Sequence, residues 1–169
     1  GAGWLRTEWR AAGIDPATRG ARLDEAIEVV RRLWTEPEIA HEGEHFAFEP
    51  VAFEPKPVQP GGPPILVGGE SERALRRAAT LGDGWLGMDH TPVSAAGRAG
   101  RLRELAEAAG RDPAAVEVTV MGVVEGPEDL AAYEAAGVDR VIVTPWTSSR
   151  EAVAAMERLA ARLGLSGPG

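Results

Sequence analysis

The sequence contains no cysteine. That single absence removes disulfides, thiolate catalysis and cysteine-ligated zinc together. No apolar run comes near the ~18 residues that a bilayer-spanning helix needs. Basic residues are in deficit: 18 Lys and Arg stand against 26 Asp and Glu, giving a net charge of −8. A chain this acidic, with a pI near 5.0, argues against nucleic acid and anionic membrane surfaces as partners. There is no Ser-His-Asp order of the hydrolase kind and no nucleophile elbow. The first ten residues mix polar and aromatic types and do not read as a signal peptide, so a cytoplasmic protein is expected. The chain opens on Gly1-Ala2-Gly3 without a methionine. Such a glycine-rich turn normally follows a strand, which suggests a piece of a longer protein.

What is present is an ordinary globular balance, 44% apolar and 26% charged over 169 residues. Leu23, Ala26, Ile27, Val30 and Trp34 share one helical face, predicting a helix over residues 20–36 that Pro37 helps to end. Residues 39–64 change character. Phe46, Phe48 and Phe53 lie among Glu and Val, and six prolines punctuate the stretch, which predicts a short strand or hairpin and then an extended loop.

From Pro64 a regular rhythm sets in. Strands are expected at Pro64–Gly68, Asp83–Met88, Val116–Val124 and Arg140–Thr144. Helices are expected between them and at the end, with Ala74, Leu75 and Ala78, then Leu102, Leu105 and Ala109, and finally Val153, Met156, Ala160 and Leu163 facing inward. Ser71 is placed to cap the first of these helices, and Ser148 or Ser149 the last. Gly110, Gly137 and Gly164 stop helices. Strands alternating with helices mean a parallel sheet with right-handed crossovers. Two architectures fit: the second half of a (β/α)8 barrel, which takes about 250 residues when complete, or a whole flavodoxin-type open sheet.

The segment Pro63-Pro-Ile-Leu-Val-Gly-Gly-Glu-Ser71 is a strand, a glycine pair and a helix start. Glycine lets backbone approach a ligand closely, and the free N–H groups of a helix start favour an anion. The same glycines also serve a plain tight turn, and both readings stand. His41-Glu-Gly-Glu-His45 matches the zinc-protease pattern H-E-x-x-H, but that chemistry needs a helix placing both imidazoles on one face. Gly43 in its middle and the alternation after it make this a coincidental match in a turn. His90, alone after a strand, is a candidate by position. Trp85 is expected to pack in the sheet and Trp146 to cover a strand end or line a pocket mouth. Of the arginines at 73, 76 and 77, only Arg73 is near enough to the helix start to meet an anion.

Three stretches in order carry a resemblance. The first is Gly1-Ala-Gly-Trp-Leu-Arg-Thr-Glu8, continued by Ala12-Gly13-Ile14, Arg19-Gly20, Arg22-Leu-Asp-Glu25 and Leu33-Trp34. The second is Pro55-Lys-Pro-Val-Gln-Pro60 with Pro63-Pro-Ile-Leu-Val-Gly-Gly69. The third is Ala74-Leu-Arg-Arg-Ala-Ala79 with Gly82-Asp-Gly-Trp85. Together they resemble the luciferase-like monooxygenase superfamily, and within it the F420-dependent (deazaflavin) oxidoreductases. The resemblance implies a TIM-barrel α/β fold of which this chain is the C-terminal half: residues 1–38 a helix after strand four, 39–63 an insertion, and 64–169 four βα units. It implies coenzyme F420, with FMN as alternative, and hydride transfer to or from a small organic molecule. Gly3, Thr7, Val67, Gly68, Gly69, Glu70, Gly87 and Met88 then fall at cofactor-binding positions, and Glu8 matches a recurring Glu. No catalytic acid or base is assigned. An isolated half barrel has open strand edges, so association or a homo-oligomer is expected, and a non-catalytic half-barrel module is the rival to the enzyme. A small flavodoxin-like phosphate-ligand protein is the third reading.

Overall fold

The computed structural model describes residues 1–165, which fall into two compact units divided between Ile65 and Leu66. In the first unit, Arg6–Ala11 forms helix α1, which periodicity had not indicated. Asp15 accepts from the Ala17 N–H and starts a 3-10 turn leading into α2, Arg19–Thr35. Of the expected apolar stripe only Ile27 is fully buried, and Val29 from beside the stripe joins it. A unit of this size has little interior, so most of the stripe stays half-buried. Strands β1 (Ile39–Glu42) and β2 (Ala47–Val51) pair antiparallel as a hairpin, with a register shift between Ile39 and His41. Lys56 Nζ donates to the carbonyls of Leu33 and Glu36, satisfying acceptors left open at the end of α2.

The second unit carries the alternating rhythm. Strands β3 (Leu66–Gly68), β4 (Gly84–Gly87), β5 (Glu117–Met121) and β6 (Arg140–Ile142) are parallel and lie side by side in chain order. Helices α3 (Glu72–Thr80), α4 (Pro92–Ala108), α5 (Pro127–Ala135) and α6 (Ala152–Arg162) follow them one by one. This order separates the two architectures. A flavodoxin-type sheet reverses direction at a switch point and carries helices on both faces. With the right-handed crossovers that such connections adopt as a rule, four strands in unbroken succession put every helix on one face, as in a segment of a closed barrel. The fold is that of the (β/α)8 family, in part. None of the helices described is long and apolar enough to cross a membrane.

Register partners in a parallel sheet share a face. Val67, Trp85 and Val118 form one row, and Gly87, Val120 and Val141 the next. Val67, Trp85, Val118 and Val120 are buried, as are Leu75 and Ala78 on α3 and Leu102 and Ala99 on α4. The alternate residues Leu86, Glu117, Met121 and Ile142 are partly or fully exposed. Thr119 on that face is buried and donates to Glu117 Oε1 at 2.6 Å.

Two expectations about helix faces fail. Ala109 is the exposed C-cap of α4 rather than a core residue. On α6 the buried residues are Ala155 and Leu159, while Val153 and Met156 face water. Neighbouring stripes of this alanine-rich helix are both apolar, so periodicity does not choose between them. Neither serine caps α6 with its side chain; a 3-10 turn, Ser149–Glu151, leads into it.

Candidate active site at the strand ends

In parallel α/β folds ligands meet the C-terminal ends of the strands. At the end of β3, Gly69 has φ +129°, and a Cβ there would sit 3.0 Å from the Ala74 Cβ. Ser71 accepts from the Ala74 N–H and caps α3. First-turn N–H groups such as those of Glu72 and Arg73 have no partner inside their own helix. Arg73 is exposed beside them.

Two carboxylates lie near this helix start, and both are engaged. Glu72 is bound by Arg101, whose hydrogen bond holds the carboxyl below its usual range against the opposing effect of desolvation. Glu70 reaches across to the end of β4. Its Oε1 accepts from the Met88 N–H at 2.8 Å, and its Oε2 is 2.9 Å from His90 Nε2.

His90 is therefore not a free loop residue. Its side chain is 9% exposed. Its Nδ1 lies 3.0 Å from Ser94 Oγ, its N–H donates to the Met121 carbonyl and its own carbonyl accepts from the Tyr133 hydroxyl at 2.6 Å. The Trp85 indole meets its ring edge-on at 5.2 Å and donates Nε1–H to the Gly69 carbonyl at 2.8 Å. The loops after β3, β4 and β5 are thus tied through Glu70, Trp85, His90 and Tyr133. Beside His90 opens a cleft of about 360 Å³, lined among others by Asp89, Met121, Val123, Ile142 and Thr144.

The candidate residues divide accordingly. Gly69, Glu70 and Met88 come together at the strand ends, with Gly68 closing β3. Val67 is also on β3, but its side chain is in the core, leaving only its backbone for a ligand. Gly87 is buried, and a Cβ there would strike the Trp85 and His90 rings, so its bareness serves packing. Gly3 (φ +76°) and Thr7 belong to the first unit: Gly3 lies against the Trp9 indole, and Thr7, like Glu8, is exposed on α1. Trp146 is half-buried in the segment after β6. The linking roles of Tyr133 and Glu70 had no local signal, because their partners are remote in the chain.

The H-E-x-x-H match is a hairpin, with His41 on β1 and His45 in the turn. Glu25 of α2 holds it, contacting His41 Nε2 and accepting from the His45 and Phe46 N–H groups, each at 2.9 Å. Desolvation raises the Glu25 pKa, but the His41 contact and the two backbone donors outweigh it and bring it below the ordinary 4.5. A depressed carboxyl pKa stabilises the fold above the unfolded value, and that stability is lost as pH falls through the folded value. We expect the Phe46 amide resonance to titrate with a midpoint below 4.5 in a two-dimensional NMR pH series, and Glu25→Gln to abolish the transition. A midpoint at or above that value would contradict the assignment.

The model of the luciferase-like monooxygenase family matches residues 1–149. The chain belongs to this family. An uncharacterised Mycobacterium tuberculosis protein is 34% identical over 96% of this chain, which spans 57% of that relative's length. The FMNH2-dependent dimethylsulfone monooxygenase of Pseudomonas putida is 31% identical over 84 residues, covering 48% of this chain and 23% of its own. Among solved structures, the monooxygenase RslO1 of Streptomyces bottropensis superposes with a TM-score of 0.59 at 26% identity, over 96% of this chain and 47% of its own. An F420-dependent secondary alcohol dehydrogenase superposes with a TM-score of 0.69 over 89% of this chain and 63% of its own; at 13% identity it speaks for the fold alone. The luciferase-like family thus accounts for the sequential parallel sheet; an F420-dependent enzyme shares the fold, and an FMNH2-dependent one is similar in sequence.

Proposed function

We propose that this chain forms part of an F420-dependent oxidoreductase that transfers hydride to or from a small organic substrate. The observation that carries the reading is the Gly69 turn. Its backbone is bare by steric necessity, it opens onto the start of α3, and both nearby carboxylates are bound elsewhere. These residues fit the phosphate-bearing end of such a cofactor: Gly68 and Gly69 by close backbone approach, and the first N–H groups of α3 by their dipole. Met88 flanks the same edge through the Glu70 bridge. When bound, the deazaflavin supplies the hydride chemistry, and the protein supplies binding and orientation.

The motifs running from Gly1 to Trp85 support the deazaflavin branch. FMN is the second reading, favoured by the likeness to the FMNH2-dependent dimethylsulfone monooxygenase. β3 and β6 each have one neighbour in the sheet, and we propose that their free edges are covered by further strands of the same barrel or by another copy. Parallel titrations of the full chain with F420 and FMN, followed by fluorescence, test the cofactor. F420 is expected to bind at least tenfold tighter. Uptake of FMN with no response to F420 would replace the first reading by the second, and no response to either would leave the half-barrel module.

A further inference from the structure

We infer that Asp89 selects the substrate in the cleft beside His90, favouring a small molecule with an apolar body and an ammonium head. The inference deepens the reading of the strand ends as the ligand-binding edge and rests on it.

Asp89 is the one non-glycine residue with positive φ (+56°) among the described residues. Its neighbours impose that backbone. The Met88 N–H is held by Glu70, and His90 is held by Glu70, Ser94, Met121 and Tyr133. A sparsely populated conformation persists only where its surroundings over-determine it. The Asp89 carboxylate itself is exposed and engaged in no hydrogen bond or ion pair among the described residues. The nearby Glu70 carboxylate is already committed to Met88 and His90.

The cleft is at the small end of ligand pockets. Pro92, Met121, Val123 and Ile142 give it apolar walls, and no lysine or arginine lines it. An anionic head would find no countercharge there and would meet Asp89. A cationic head would pair with Asp89 against walls that displace water, where charge attraction is stronger than in bulk.

The test uses hexylamine and hexanoate as probes of equal length and opposite charge, each titrated into the full chain by ligand-observed NMR. Hexylammonium is expected to bind at least tenfold tighter. Asp89→Gly should erase the difference while raising the melting temperature, because glycine adopts positive φ without penalty. Retention of the fold with loss of selectivity separates a recognition role from a structural one. Equal binding of the two probes, or an ammonium preference that survives in Asp89→Gly, would overturn the inference. An F420 titration of the unsubstituted chain keeps the two readings apart. F420 binding without an ammonium preference sinks this inference alone, and an ammonium preference without F420 binding sinks the cofactor reading alone.

Discussion

Replacing Trp85 by Ala is expected to cost about 3–5 kcal/mol, the range for emptying a large buried aromatic site. Trp85 is fully buried in the row between Val67 and Val118. Its indole fills the space beneath the helices, touches the His90 ring edge and donates to the Gly69 carbonyl. The loss would remove a large part of the roughly 5–15 kcal/mol that holds a typical domain together. Denaturant unfolding followed by far-UV circular dichroism measures it, and a loss under about 1 kcal/mol would contradict the packing described. Trp85→Phe is the informative companion. It keeps most of the ring but deletes the donor to Gly69, at about 1 kcal/mol. If the Gly69 turn binds the cofactor, its affinity should fall in this variant while the fold persists.

Glu70→Ala is expected to be the second costly change, because one carboxylate serves two loops. Without it the Met88 N–H and the Nε2 of His90 lose their acceptor, and the His90 side chain is too buried to recruit water freely. Leaving a buried donor unpaired costs about 1–3 kcal/mol. Glu70→Gln keeps an oxygen for one of the two donors and should recover part of the loss. Hydrogen exchange at the Met88 amide gives a local reading: faster in Glu70→Ala, intermediate in Glu70→Gln. An unchanged Met88 rate in Glu70→Ala would mean that the bridge does not hold the loop.

The strand–helix alternation after Pro64 was legible because each signal is local. Short apolar runs, glycine stops and a capping serine act within a few residues, and Ser71 caps α3 as its position suggested. The Gly69 turn was visible for the same reason. The clamp behind it was not. Glu70 and His90 are 20 residues apart, and Tyr133 and His90 are 43 apart. Such pairs meet only because successive βα units align their strand ends. His90 accordingly read as an isolated histidine, and Tyr133 carried no signal at all. The Glu25 hold on the hairpin was hidden likewise, since a helix glutamate reads as a solvated face until the hairpin folds over it.

Local patterning therefore settled the element order and the class of fold, since backbone propensity and hydrophobic period act over one or two turns. It left the half barrel and the open sheet equally admissible, because both use the same βα unit. The family resemblance pointed to the half barrel, and the packed sheet bears it out by setting β3 to β6 side by side in chain order. It also decided which apolar stripe of α6 is buried, and that the Glu70 carboxylate turns to Met88 and His90. Each of these depends on where distant segments lie in space, and burial and hydrogen bonding assign a residue its partner only once those segments are in place.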